Sequence, residues 1–482
     1  MKILFAVSEC MPFCATGGLA EVAGSLPAAL AKKRNTVKVI MPLYKRVIDN
    51  YGNELEYIGK TNTMLSWRNQ YCGLFRIKKD GVEYYFVDNK YYFDRDMLYS
   101  YYDDGERFAF FSKAVFDCLE MIKFYPDIIH ANDHQTALVN IYLDSFKRQG
   151  RFLSTKSVFT IHNIEYQGQY DNFVLGDLFG LGWEYREILE NNKCVNLLKG
   201  AIVTSDAFTT VSPRYAKEIT TARYGKGLEY IININRFKLT GILNGINYDF
   251  YNPEKDPEII ANYNYATYDK KIENKRHLQK EYGLNQDDDV CLIAIISRLV
   301  GHKGMDLVVE KMDEMMGSNC QFVILGMGDP YFEDKFSFFS YKYPGRVCFI
   351  KAFNTPLSKQ IYSGADLFLM PSLTEPCGLS QMIACRYGTL PIVHATGGLA
   401  DSINDANGFV FRGYDANEMA YKVREAINVY NHKDDYMKMV HTAMYTDFSW
   451  ANSAKQYLDL YKSLVERRDN NDWFGTKRVN WR

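Results

Sequence analysis

A protein of two parallel α/β halves is predicted by three observations on this 482-residue chain. Short apolar runs alternate with helix-length segments from end to end, the pattern of strands that pair through helical crossovers. A seven-residue string almost recurs: Ala15-Thr16-Gly17-Gly18-Leu19-Ala20-Glu21 near the start and Ala395-Thr396-Gly397-Gly398-Leu399-Ala400-Asp401 near the end. The length also exceeds what one hydrophobic core usually serves. Each copy of the string follows an apolar run and precedes a plausible helix. Strand, Gly-Gly turn and helix N-terminus together direct backbone N–H groups and the positive end of a helix dipole at one spot, a recipe for holding an anion.

In chain order, strands are expected at 2–8, 37–41, 84–87, 127–130, 156–160 and 207–211 in the first half. The second half should contribute 290–296, 321–325, 347–351, 367–370 and 390–393. A polar stretch from Asn252-Pro253 to Asp269 follows the turn Gly241-Ile242-Leu243-Asn244-Gly245, placing the linker near 242–255. The segment 451–466 has helical periodicity, with Tyr457, Leu460, Tyr461 and Leu464 on one face. The tail 467–482 is polar, with Trp473, Phe474 and Trp481 interleaved. It reads as disorder or a packed extension, with an auxiliary carbohydrate contact as the sharper alternative.

Bulk properties exclude several classes. A net charge of −1 supplies no global field for nucleic acid or anionic lipid. No apolar run approaches the roughly 20 residues of a membrane span. The ten cysteines include no CxxC pair, so they read as reduced thiols of a cytoplasmic protein rather than a disulfide frame or a zinc site. The 37 tyrosines could form sugar-stacking surface, although biased codon usage explains them equally simply.

Several short motifs could carry chemistry. Arg298 and Lys303-Gly304 follow an apolar run, where parallel sheets bind ligands. The two cations could clamp a diphosphate, or be a solvated pair. Glu375, in Glu375-Pro376-Cys377-Gly378-Leu379, could fix sugar hydroxyls or face a developing oxocarbenium ion. His130-Ala131-Asn132-Asp133-His134 and Ile161-His162-Asn163 also follow strands. His130, Asp133 and His134 lack the spacing of a metal site, and Asp133 and His162 suit the rim of a sugar pocket better. Asp94-Arg95-Asp96 matches the DxD of metal-dependent sugar transferases, a motif short enough to occur in any acidic loop. Gly326-Met327-Gly328-Asp329 lacks full GxGxxG spacing, and no GxSxG elbow is present.

Taken together, these strings resemble the bacterial glycogen synthase and plant starch synthase family over roughly residues 1 to 466. Further matching strings are Tyr92-Phe93-Asp94-Arg95, Tyr166-Gln167-Gly168, Val211-Ser212-Pro213 and Tyr387-Gly388-Thr389. The resemblance implies a GT-B fold: two Rossmann-like domains facing a central cleft, at 1–245 (acceptor side) and 246–450 (nucleotide sugar), with 451–482 supplying a helix that returns to the first domain plus a tail. It implies transfer of glucose from ADP-glucose or UDP-glucose to the non-reducing end of an α-1,4-glucan with retention, without metal or other cofactor. By the same resemblance, Arg298 and Lys303 would hold the donor diphosphate, helped by backbone at Gly17-Gly18 and Thr396-Gly397-Gly398. Glu375 would contact the transferred glucose, with Cys377 and Gly378 amides on its hydroxyls. His162, Asn163 and Asp133 would line the reacting face, Asn244 would shape the pocket, and Phe353 would stack on the base. The second Glu of the wider superfamily is absent, its position being Ile383, as in this branch.

Departures concentrate near these residues. Ala15 stands where the family usually has a donor-binding Lys. Losing one charge-assisted phosphate contact would cost about 1.5–3 kcal/mol. His134 replaces a usual Trp, Gln135 a frequent His, Asn247 a common Asp, and His394 a usual Arg. Leu373 and Thr374 precede the Glu-Pro where Arg and an aromatic are usual. The departures open a second reading, a relative with weakened or lost catalysis that binds glucan or regulates a partner.

Overall fold

The computed structural model describes residues 1–473, with side chains described to residue 466, so the tail expected beyond the last helix lies largely outside the described residues. The chain divides into two compact units, 1–242 with 450–482, and 243–449.

The first unit is built on strands β1 (Lys2–Ala6), β2 (Thr36–Pro42), β3 (Glu56–Leu65), β4 (Arg68–Lys79), β5 (Val82–Asp88), β6 (Ile128–Asn132) and β7 (Lys156–Ile161). Three short strands, β8 (Gln169–Tyr170), β9 (Glu190–Asn191) and β10 (Cys194–Asn196), form a separate small sheet, and β11 (Ala207–Thr210) and β12 (Leu239–Gly241) complete the main one. The nine-stranded order is β12-β11-β7-β6-β1-β2-β5-β4-β3. It is parallel from β12 to β5, with β4 and β3 antiparallel at one edge. All six strands expected in this half form. The β3–β4 hairpin is additional, its edge strand being buried at few positions and rich in polar residues that dilute its alternation.

The central strands are buried on both faces, as parallel sheets covered by helices require. Helix Gly18–Ala31 lies against helix Trp450–Trp473. That last helix is pinned through His130 on β6, whose Nδ1 lies 2.7 Å from Tyr461 Oη and whose Nε2 lies 2.5 Å from Thr160 Oγ1. Burial drives the His130 pKa down to about 3, so the ring is a neutral structural group committed to two hydroxyls.

The second unit contains β13 (Cys291–Ile296), β14 (Cys320–Leu325), β15 (Val347–Ile350), β16 (Leu367–Met370), β17 (Leu390–His394) and β18 (Phe409–Phe411). All pairs are parallel, in the order β15-β14-β13-β16-β17-β18. This is the doubly wound 3-2-1-4-5-6 order, whose switch point, between β13 and β16, is where such sheets bind ligands. The five expected strands form, and the three-residue β18 is additional. No helix among the described residues is long and apolar enough to cross a membrane.

Candidate active site

The strand order of each sheet selects a pair of loops. In the second unit these are the exits of β13 and β16. Past β13, Arg298 is exposed and no hydrogen bond or ion pair engages its guanidinium among the described residues. A turn then brings Lys303 back, its Nζ 2.5 Å from Glu375 Oε2. Glu375, past β16, is buried and also accepts from Ser372 Oγ at 3.2 Å. The two loops are joined by Leu373 N–H donating to His302 O at 2.9 Å. A cation and a carboxylate are thus held face to face at the switch point, with a free guanidinium on the same strand exit as the lysine.

The second Gly-Gly copy buttresses the backbone of Glu375. Gly398 N–H donates to Glu375 O at 3.1 Å, and Thr396 N–H donates to His394 O at 2.8 Å. Gly397 has φ +42°, and a Cβ on it would stand 1.9 Å from Glu375 O; one on Gly398 would stand 2.1 Å from Cys377 O. Two amides assigned to a diphosphate by resemblance are therefore engaged within the protein. Gln381 Nε2 reinforces the junction by donating to Gly378 O at 3.0 Å and Ser402 Oγ at 3.0 Å.

Cys377 is buried, its thiol pushed up to about 12 by desolvation and touched by the Asn244 backbone N–H. Three buried polar atoms here, Asn244 Oδ1, Gln381 Oε1 and Thr396 Oγ1, have no hydrogen-bond partner among the described residues. Unspent hydrogen-bonding capacity of this kind marks a place for a polar ligand. Gly378 turns at φ +70°, and Phe353, past β15, is 91% exposed with its ring free to stack.

In the first unit the switch point lies between β1 and β6. Asp133 follows β6 at φ +56°, a conformation that costs a residue with a Cβ on the order of 1 kcal/mol or more. Its Oδ1 accepts from His162 N–H at 2.7 Å, and its carboxylate also from Asn163 N–H. Desolvation raises the Asp133 pKa to about 7. His162 Nε2 lies 3.0 Å from Asn132 Oδ1, while Asn132 Nδ2 faces the carbonyls of Ala6 and His130. That orientation makes Nε2 the donor and leaves the lone pair on Nδ1. Burial takes the His162 pKa down to about 3, so the ring stays neutral. Asn163 spends its side chain on Glu165 N–H at 3.0 Å.

Past β1 the structure supplies a residue that motif reading missed. Glu9 is buried and accepts from Thr16 N–H at 2.6 Å, Thr16 Oγ1 at 2.7 Å and Gly17 N–H. Burial raises its pKa. The signal available in sequence was a lone acid directly after a buried strand. Thr16, Gly17 and Gly18 are exposed, Ala15 is half-buried, and a Cβ on Gly17 or Gly18 would meet nothing within 4 Å.

Other candidates are committed elsewhere. Arg95 pairs with Asp103 and Asp96 with Lys45, so the DxD string carries ion pairs. A cavity of about 250 Å³ lined by Tyr268, Lys275, Asp366 and Tyr430 lies at the N-terminal ends of β13 and β16, the opposite end of the sheet from Glu375. Lys275 donates there to Asp366, Tyr430 and two carbonyls, leaving nothing to offer a ligand.

Comparison with known proteins identifies the family. The starch synthase catalytic domain family matches residues 2–234, and glycosyl transferases group 1 matches 275–440. The glycogen synthase of Geobacillus thermodenitrificans is 45% identical over 480 residues, covering 98% of this chain and 99% of that one. That of Ligilactobacillus salivarius is 44% identical over 476 residues, covering 96% and 100%. The chain belongs to the glycogen and starch synthase family. As a member it is a glycosyltransferase of glycogen or starch synthesis, and the full-length similarity does not favour a noncatalytic reading. The catalytic domain of starch synthase IV from Arabidopsis thaliana, bound to ADP and acarbose, superposes with TM-score 0.89 at 34% identity, covering 97% of this chain and 99% of that one. A sucrose-phosphate synthase from Thermosynechococcus elongatus, at TM-score 0.62 and 17% identity over 97% and 99%, shares the GT-B fold.

Proposed function

We propose that this glycogen and starch synthase family member transfers glucose from ADP-glucose to the non-reducing end of an α-1,4-glucan with retention of configuration. The observation that carries the reading is the Lys303–Glu375 pair at the switch point of the second sheet, with Arg298, unpaired among the described residues, on the same strand exit as the lysine. The choice of adenine rests on the ADP of the starch synthase IV structure, a protein similar to this one along its whole length.

Arg298 and Lys303 would meet the donor diphosphate, the guanidinium as a fork and the ammonium as a point charge. Both stabilise charge that grows as the bond between glucose C1 and the phosphate oxygen breaks. Glu375 would hold the glucosyl group and, through its ion pair, orient Lys303. The acceptor 4-hydroxyl forms the new bond to C1 on the face the phosphate leaves, and its proton passes to the departing phosphate oxygen. No protein nucleophile is required. In the first unit, neutral His162 and Asp133 would present polar atoms to sugar hydroxyls, and the open Gly17-Gly18 loop would admit phosphate. Asn244, Cys377, Gly378 and Phe353 would complete contacts to sugar and base.

The test is an assay of purified protein with ADP-glucose and, separately, UDP-glucose on glycogen, reading released nucleotide and retained radiolabel. ADP-glucose should be the better donor. Extension by neither donor would overturn the reading, and preference for UDP-glucose would overturn the choice of base.

A further inference from the structure

The β3–β4 hairpin ends in a two-residue turn, Ser66-Trp67. Such turns favour Asn-Gly or a leading Gly, because the first central residue takes a positive φ. Here Ser66 carries φ +54°, and the second position holds an indole that is 69% exposed. Neither choice suits the turn, and the exposed ring contributes little to the core. A local rule broken without a packing gain is a reason to look for function.

The exposed ring is nevertheless fixed. Trp67 Nε1 donates to Asp177 Oδ1 at 2.9 Å, and Arg68 donates to Asp177 O at 2.6 Å and Oδ2 at 3.2 Å. The Arg68 guanidinium covers one face of the indole, 4.3 Å from the ring centre. Ser66 Oγ donates to Gly176 O at 2.9 Å. Phe173, on the same short segment as Asp177, is 69% exposed. The result is an aromatic plate with one face backed by a guanidinium, one face open, a carboxylate at its rim, and little rotamer freedom left to lose on binding.

Its position is set by register. β5 ends alongside β2 and β1 at the end of the sheet that carries Asp133, and β4 runs antiparallel to β5 with Gly73 opposite Asp88. Arg68 to Cys72 therefore project beyond that end by roughly 17 Å, and β4 stands four strand spacings, about 19 Å, from β6. The plate overhangs the same end of the sheet as Asp133 and His162, at a distance longer than a maltotriose.

We propose that Trp67 is a binding plate for an α-glucan chain at a point remote from its reacting end. The apolar C–H face of a glucose ring stacks on the open indole face, opposite the one Arg68 covers, and its hydroxyls meet the Asp177 carboxylate at the rim. This rests on the glucan-transfer reading above. It predicts that long acceptors gain from the plate and short ones do not.

The experiment compares glycogen with maltotriose as acceptors for wild type, Trp67→Ala and Trp67→Tyr. Trp67→Ala should raise the KM for glycogen about tenfold with kcat and the KM for ADP-glucose within twofold, and leave maltotriose turnover within twofold. Trp67→Tyr, keeping an aromatic face, should fall between. A second measurement needs no variant: glycogen, but not maltotriose, should protect Trp67 of the wild type from N-bromosuccinimide oxidation, read by peptide mass spectrometry. An unchanged glycogen KM in folded Trp67→Ala, an equal loss on both acceptors, or no protection would each overturn the plate. A wild type that extends neither acceptor would instead overturn the activity reading.

Discussion

Ala15-Thr16-Gly17-Gly18 and Ala395-Thr396-Gly397-Gly398 share their residues and differ in nearly everything around them. The first is exposed, with open space where side chains would be, and its turn is shaped by the Glu9 carboxylate. The second is buried, and its two glycines are closed against Glu375 O and Cys377 O. Glycine is kept in the first loop for access and in the second because two backbones meet. Equal strings thus form an open turn in one unit and a buttress behind the Glu375 backbone in the other.

Substitutions can break this contrast, and the largest effect belongs to the closed copy. Gly397→Ala must displace the Glu375 carbonyl, with a stability loss of about 3 kcal/mol and at least a hundredfold loss of rate. Gly17→Ala should leave the melting temperature unchanged and alter only the KM for donor; thermal denaturation beside steady-state kinetics separates the two. Equal destabilisation by both would erase the distinction.

Lys303→Met removes the partner of the carboxylate that the closed copy supports. A loss of about a hundredfold in kcat is expected, in line with removing one transition-state charge contact. The same substitution should leave Gly397→Ala with little further rate to lose, because both act through the placement of Glu375.

The open copy should respond by gain. Ala15→Lys adds a cation beside the exposed loop and should raise kcat/KM for ADP-glucose by about 10- to 100-fold, the equivalent of about 1.5–3 kcal/mol. No gain would show that Ala15 is not a deficit in this chain. Glu9→Ala should raise the KM for donor about tenfold with less change in kcat, since Thr16 and Gly17 lose the acceptor that shapes them. A lower KM would instead identify Glu9 as an internal anion competing with the diphosphate.

The smallest effect concerns pH. The Asp133 carboxyl titrates near 7 in the folded protein, above its ordinary range. Folding therefore favours its protonated form. The associated stability is fully present below about pH 4 and is lost as pH rises through 7. Asp133→Asn removes this dependence, so its melting temperature relative to wild type should climb between pH 5 and 8. A constant difference would show that Asp133 does not titrate in that window.

Much of this was legible in the chain. Buried parallel strands are continuous apolar runs such as Ile3 to Val7 and Leu292 to Ile295, and local composition reveals them without any partner. Arg298, Lys303 and Glu375 stood out because each follows such a run, and the structure brings the last two into contact. The motif around His130 suggests the site, yet His130 faces Tyr461, 331 residues away, and belongs to the core. The edge hairpin carrying Trp67 is not legible in the chain, because its few buried positions, such as Leu65, Cys72 and Leu74, are set among polar residues that dilute the alternation.

The sequence by itself determined the alternation of strands and helices, the order of the motifs and the family they resemble. Those properties reside in runs of a few residues, where apolar period and turn chemistry act locally. Tertiary structure decided which Gly-Gly copy stays open, what Glu9 holds, which histidine is structural, and where Trp67 stands. Each of those depends on groups brought together by strand order and register, and two identical strings acquire different roles when different backbones lie against them.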